Sequence, residues 1–302
     1  MALQSSGQIS LGDIATEFGD SAPHSISEFY RGGSLVGSSN TSVPTSGEIS
    51  FDDFYGATAV QTFTLTPGTT TNYNILTAAT AAGFTNGSGA NIVVNCNGLI
   101  TGSPAMRTGA INGSNITVNI LSGGRIDGDT GSTGSTGSCS GYSGSHADAT
   151  TPIANGGAGG AGGDAIYWET SGSATNTVNV NSGCFLRGGG GGGGGGGSGA
   201  RQRASFIDKG VETCDGNTRC GADGSAGSAG AFGAAGSAGT DGLHPTSTQW
   251  PGESFPTQCR TNTYSYLING SGGAGGAAGF ALRKNSRTVT LNNSGTVAGS
   301  TS

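Results

Sequence analysis

The side chains able to make chemical contacts crowd into three stretches of a chain that is otherwise poor in them. Residues 138–155 carry Tyr142 and His146, and residues 200–220 carry Arg201, Arg203, Phe206, Asp208 and Lys209. Residues 243–269 carry His244, Trp250, Phe255, Arg260, Tyr264 and Tyr266. Aromatic rings and guanidinium groups anchor interfaces and stack on sugar faces, and loops on a rigid scaffold are where such groups usually sit. Binding through exposed aromatic and polar surface is the chemistry these stretches can do. Filling a satellite core is the alternative: both readings stay open for Trp250, and a solvated surface role stays open for Arg201 and Arg203.

Covalent chemistry finds little support. His24, His146 and His244 have no spacing that suggests a metal site or a triad. Asp52 and Asp53 are adjacent, which suits helix capping better than acid–base work. No GxSxG elbow and no phosphate loop ending in Gly-Lys is present, and GxGxxG matches inside a glycine run are trivial. No catalytic residue, metal site or cofactor is expected. The six cysteines show neither a CxxC pair nor a Cys/His metal spacing. Cys214 and Cys220 could close a small disulfide loop, and Cys139 and Cys259 sit in other loops. Cys96 and Cys184 fall in strand-like segments, where buried thiols are expected. Net charge is −6 and the basic residues are scattered, so a nucleic-acid partner is not expected. No apolar run approaches a membrane span, and the polar N-terminus lacks a signal-peptide core.

The positioning elements must be built largely from glycine, with 62 in 302 residues and only 33% hydrophobic residues. Gly188–Gly197 is a run of ten. Elsewhere glycine keeps a period of three: at 128, 131, 134 and 137; at 156, 159 and 162; at each third position from 221 to 242; and at 270, 273, 276 and 279. A left-handed helix with three residues per turn turns one such row toward a neighbouring chain. Collagen would need proline between the glycines, and these stretches have none. The spacing points instead to a polyglycine-II-type helical bundle, in which a Cβ would hold the backbones apart. A disordered Gly/Ser linker is the alternative; a register shared by several stretches favours order.

Short β-strand pairs are threaded between the glycine stretches. Thr62–Leu65 alternates as a strand. A twelve-residue unit then recurs from Asn91, Thr117, Thr177 and Thr288, with apolar second, fourth and tenth positions and a polar turn between them. It reads as one corner of a stacked solenoid or a sandwich. The first sixty residues differ again. Ser6–Ile14 returns as Ser46–Phe54, and Ser10, Ser25 and Ser50 each precede an acidic residue by three positions, a helix-start signature. The short helices should stop at Gly32-Gly33 and Gly56, and they present Ile9, Leu11, Ile14, Phe29, Tyr30, Phe51, Phe54 and Tyr55. So small a segment either docks on a larger assembly or forms a self-contained cap. The expected fold is mainly β, with a small N-terminal segment of short helices (1–58), a β-rich shoulder (59–127), and a Gly-rich bundle with interleaved β repeats and exposed loops (128–302).

Two resemblances bear on function. The patterns SGQISLGDI…EFYRGG and SGEISFDDFYG resemble the opening segments of structural proteins from tailed phages, marine ones especially, and imply attachment to the particle. The rows at 156–163, 188–199, 221–242 and 270–279 resemble the adhesins at the tips of long tail fibres in some T-even-type phages. In that family a polyglycine-II sandwich carries variable distal loops that contact the bacterial surface. The resemblance implies a tail-fibre or tail-tip adhesin in the virion, synthesised in the bacterial cytoplasm, whose first 58 residues dock on other virion proteins. Its loop residues Tyr142, His146, Arg201, Arg203, Phe206, His244, Trp250, Phe255, Tyr264 and Tyr266 would bind a host polysaccharide or outer-membrane protein without catalysis. A homo-oligomer is expected, with a trimer preferred. A purely structural fibre or connector is the alternative reading. A depolymerase, which needs paired carboxylates in a groove, is the least supported.

Overall fold

The computed structural model describes residues 2–37, 40–87, 89–138, 154–170, 175–208, 211–220, 222–243, 261–266 and 269–302. Residues 2–59 close on a core of their own. Helix α1 (Leu11–Phe18) starts at Ser10, whose hydroxyl accepts the Asp13 N–H at 3.2 Å while the Asp13 carboxylate accepts the Ser10 N–H at 2.9 Å. Those bonds favour the ionised carboxylate and hold Asp13 below its ordinary value. The same reciprocal caps, Ser25 with Glu28 and Ser50 with Asp53, open 3₁₀ turns at Ile26–Phe29 and Phe51–Phe54. These turns end at Tyr30 and Tyr55, ahead of the glycines expected to stop them. Each helical piece delivers one phenylalanine. Phe18, Phe29 and Phe54 meet with ring centroids 6.0–6.3 Å apart, mostly edge to face.

Ile9, Ile14, Phe29 and Phe54 are buried within the unit itself, because helices this short can cover their rings only against one another. Leu11, Tyr30 and Tyr55 are half-buried, which leaves Phe51, at 41% exposure, as the expected docking residue that faces fully outward.

From Thr62 the chain winds through five stacked coils. The first holds β1 (Thr62–Leu65) and β2 (Thr70–Asn74), followed by α2 (Ile75–Ala81), a helix the sequence patterns did not reveal. The second holds β3 (Asn91–Cys96) and β4 (Leu99–Arg107). The third holds β5 (Asn115–Ile120), β6 (Arg125–Gly128) and, after an excursion, β7 (Ile166–Tyr167). The fourth holds β8 (Asn176–Val180) and β9 (Phe185–Arg187). A longer excursion then carries β10 (Arg201–Asp208), β11 (Val211–Cys220) and β12 (Thr261–Tyr266) before the chain returns as β13 (Leu282–Arg283). The fifth holds β14 (Thr290–Asn293) and β15 (Thr296–Ala298).

Every pairing between coils is parallel. One face of the solenoid is β1-β3-β5-β8-β14 and a second is β2-β4-β6-β9-β15; the end of β4 turns onto a third, with β7 and β13. Like residues stack inward: Val94, Val118, Val178 and Leu291 on the first face, and Ile100, Ile126, Leu186 and Val297 on the second. On the outside of the first face, Asn119, Asn179 and Asn292 each donate an amide N–H to the amide oxygen of Asn95, Asn119 and Asn179, at 2.7–2.9 Å. Trp168 is fully buried and its indole N–H donates to Thr170 Oγ1 at 2.7 Å. Cys96 and Cys184 are buried and free.

One apolar core runs from Leu65 to Val289, so coils on both sides of residue 127 share it. The units starting at Thr117 and Thr177 superpose as their spacing implies, Val118 on Val178 and Ile126 on Leu186. The outer two units are displaced by two residues on the first face: Val94, not Ile92, pairs with Val118, and Leu291, not Val289, pairs with Val178. Their turns are shorter, and a slip of two leaves the inward face unchanged because strand side chains alternate with period two.

Both excursions leave the solenoid at the same corner, between the second and third faces. They form six extended lanes with no strand pairing: 129–138, 154–163, 188–199, 222–231, 233–243 and 269–279. Lane three lies at the centre. Its N–H groups at 189, 192 and 195 donate to lane two, and those at 191, 194 and 197 donate to lane five. Its carbonyls at 190, 193 and 196 accept from lane one, those at 191, 194 and 197 from lane four, and those at 189, 192, 195 and 198 from lane six. These rungs measure 2.7–3.0 Å and recur every three residues. Around the centre the lanes run one, two, six, five, four.

This arrangement accounts for the ten-glycine run. A Cβ at any position from 188 to 197 would point at a backbone carbonyl of lane one, four or six, well under 3.0 Å away. The outer lanes have neighbours on some sides only. Lane one needs glycine at every third position and exposes Thr130, Ser132, Thr133, Ser135 and Thr136 between them.

Candidate functional site

All six lanes end together at the far end from the solenoid, and polar side chains close the array there. The Asp223 carboxylate accepts the Gly199 N–H and the Asp241 carboxylate accepts the Gly272 N–H, both at 2.8 Å. Asn155 Oδ1 accepts the Ser271 N–H at 3.0 Å, Asn269 Nδ2 donates to Gly242 O at 2.8 Å, and Ser198 Oγ accepts the Ala154 N–H at 3.0 Å. A lane end leaves backbone groups without a partner, and an Asp, Asn or Ser beside the glycine row supplies one, as at a helix cap. Sequence reasoning missed these five residues; Asp and Asn flanking the rows at 155, 223, 241 and 269 were the available signal. The Ala200 N–H donates to Leu243 O and the Leu243 N–H to Ala222 O, which ties three lane ends together. Leu243 stands 59% exposed at this end.

The three contact-rich stretches are spliced in here. Residues 139–153 connect lane one to lane two, 200–221 connect lane three to lane four, and 244–268 connect lane five to lane six. Lane three runs directly into β10, the middle strand of an antiparallel sheet ordered β11-β10-β12. Gln202, Ala204 and Phe206 pair with Tyr266, Tyr264 and Asn262. Arg201 and Arg203 fall on the alternate positions of β10. Five of the ten expected contact residues are thereby gathered in one small sheet. Tyr142, His146, His244, Trp250 and Phe255 lie outside the described residues, as do Cys139 and Cys259.

Cys214 and Cys220, the pair expected to close a small loop, both lie on β11, paired opposite Phe206 and Arg201.

At the opposite end, two ion-pair latches hold the array to the solenoid corner. Buried Asp127, at the end of β6, accepts from Arg125 Nη2 at 2.8 Å, Arg187 Nε at 2.8 Å and Arg187 Nη2 at 2.7 Å. The hydrogen bond to Asp127 raises the Arg187 value above the ordinary one. Arg187 also lies against two rings, 4.9 Å from the Phe185 centroid and 3.9 Å from that of Phe232, which sits in the turn between lanes four and five. On the other side Asp164 accepts from Arg283 Nε at 2.6 Å, and Arg283 lies over the Phe280 ring at 4.2 Å. Among the described residues no group of three or more His, Cys, Asp or Glu is gathered as a metal site, and no helix is long and apolar enough to cross a membrane.

A family model described as phage tail fibre adhesin Gp38 matches residues 61–302. Among solved structures, the chain is similar to the crystal structure of the gp37–gp38 adhesin tip complex of the bacteriophage S16 long tail fibre. Identity is 19%, all of both chains is covered, and the TM-score is 0.48. No curated protein matches the chain.

Proposed function

We infer, from the premise that this chain belongs to the Gp38 family of phage tail fibre adhesins, that its far end binds the host surface and its solenoid end faces the virion. The observation that carries this reading is the convergence of all three contact-rich stretches on one end of a closely bonded array. The array reads as a polyglycine-II-type bundle, supported by rungs at every third residue and by lane three's ten consecutive glycines. Such a bundle is a stiff arm: each lane is fixed along its length by backbone bonds. Phe206, Tyr264 and Tyr266, gathered in the terminal sheet, supply stacking surface for a sugar or for an apolar protein loop, and Trp250 lies in the adjoining stretch. Recognition proceeds by shape and hydrogen bonding, with no bond made or broken. Residues 2–59 dock on another tail or fibre protein, with Phe51 as the exposed anchor.

Competition for adsorption tests this. Purified chain added to host cells should block infection by the parent phage, and Trp250→Ala or Tyr264→Ala should weaken the block while leaving the fold intact. If folded chain neither binds cells nor competes, the protein is a structural connector and the receptor reading is wrong.

A further inference from the structure

Lanes four and five form a hairpin unlike the other lanes. Neither end joins the solenoid directly; both enter the stretches at the far end. The hairpin reaches the solenoid only through its turn at 231–233. Its rungs to the rest of the array are Gly224, Gly227, Gly230 and Gly233 donating to lane three, Gly236, Gly239 and Gly242 donating to lane six, Ala234, Ser237 and Thr240 accepting from lane three, and Leu243 accepting from Ala200 just beyond it. All repeat every three residues, and so does the glycine spacing on both sides. A hairpin displaced outward by three residues therefore re-forms every rung but the last of each row, with glycine again at each crowded position. Displacement inward is blocked, because Gly233 already lies against the backbone of Gly299 in the fifth coil. The bonds of Ser225 with Thr240 and of Ser228 with Ser237 join the two arms of the hairpin and would travel with it.

The backbone lattice thus permits more than one axial position, and something else must select the observed one. Three side chains of the hairpin make contacts that a three-residue displacement cannot reproduce. Phe232 presents its ring to the Arg187 guanidinium, which Asp127 holds in place. Asp223 and Asp241 cap Gly199 and Gly272 at the far end. Each lies in a repeat otherwise filled by Gly, Ala, Ser and Thr, so three residues away no equivalent group takes its place.

We infer that Phe232, seated on Arg187, together with Asp223 and Asp241, sets the axial register of this hairpin and so positions the stretches at 200–221 and 244–268. They are positioning residues. One step of register moves the hairpin by about 9 Å at ~3.1 Å per residue, enough to displace a binding surface built from those stretches. That last consequence rests on the functional reading above; the register itself does not.

The test is a distance measured without any receptor. Spin labels are attached through genetically encoded ketone side chains at Ser122, exposed on the solenoid, and Ala226, exposed on lane four. Pulsed dipolar spectroscopy on the full chain should give one distance. Phe232→Ala should add a second population, longer by up to about 9 Å, and Phe232→Ala with Asp223→Ala and Asp241→Ala should make it the major one. Phe232→Trp, which keeps an aromatic face for the guanidinium, should restore a single distance. Phe232→Leu offers a milder version should the alanine variant fold poorly. A single unshifted distance in the leucine variant and in any folded alanine variant would overturn the inference. Failure of the wild-type chain to bind cells would count against the functional reading alone.

Discussion

Placing one methyl group at the centre of the array should loosen it measurably. A Cβ on Gly193 would point at the Gly227 carbonyl, whose oxygen, carbon and following residue leave it no room. Overpacking a closed core by a methyl group costs about 1–3 kcal/mol. Here the obstructing atoms are backbone, so no rotamer change relieves the contact and lane four must move. The rung nearest that contact, Gly227 N–H to Gly194 O at 2.7 Å, is then strained or lost, at about 1 kcal/mol for a net hydrogen bond. Alanine also restricts the unfolded chain, which returns about 0.4–1 kcal/mol. The balance for Gly193→Ala is a loss of about 1–3.5 kcal/mol, or roughly 5- to 300-fold faster amide exchange where local opening governs exchange. Hydrogen exchange with mass spectrometry should localise the change to lanes three and four. Ala158→Ser, on the exposed side of lane two, is the control and should leave protection within about twofold, since a surface change is worth little. Full protection in Gly193→Ala, or equal loss in the Ala158→Ser control, would refute the close-packed central lane.

Three further outcomes follow from the solenoid. Thr170→Val leaves the indole N–H of fully buried Trp168 without its acceptor and should cost about 1–3 kcal/mol, read as a lower urea midpoint. Asn119→Ala removes two rungs of the asparagine ladder, whereas Asn292→Ala at its exposed end removes one; the losses should be about 1–2 kcal/mol and under 1 kcal/mol respectively, and equal losses would argue against the ladder. Burial pushes the Cys96 thiol up to about 12, so native protein should shield it from a thiol reagent at pH 8. Because the folded value lies above the unfolded one near 9.0, the proton is bound in the folded state and lost in the unfolded state between them. That contribution is intact below pH 9 and declines as pH rises toward 12; half-buried Tyr73, pushed up to about 12 from 10.0, adds a change of the same sign. Unfolding midpoints taken across this range should fall, and a flat profile would contradict the burial of both groups.

Spacing in the sequence carried much of this architecture, and its limits have physical causes. Glycine at every third position announced segments meeting backbone to backbone, because only the absence of a Cβ permits that approach. What the spacing could not say was which lane is central. That depends on how many neighbours each lane has, and only in the folded array does the ten-glycine run prove to be the lane with neighbours on every side that needs glycine. The repeated apolar positions marked the inward faces correctly, yet the unit from Asn91 was displaced by two, since a strand tolerates that slip without turning its side chains over. In the first sixty residues, the serine–acid pairs fixed the helix starts. The core those helices share was not legible, because three short helices offer none until Phe18, Phe29 and Phe54 are brought together. At the far end, alternation in 201–208 and 261–266 was too weak to reveal a sheet, so the contact-rich stretches read as loops.

If the proposed function holds, the far end of the array, and nothing else in the chain, recognises the host. This is tested most directly by replacing residues 139–153, 200–221 and 244–268 with short turns and measuring binding of the purified chain to host cells. The trimmed protein should keep its solenoid, shown by Trp168 emission matching that of the full-length Trp250→Phe chain, and should lose cell binding. Undiminished binding by the folded, trimmed chain would contradict the proposed function.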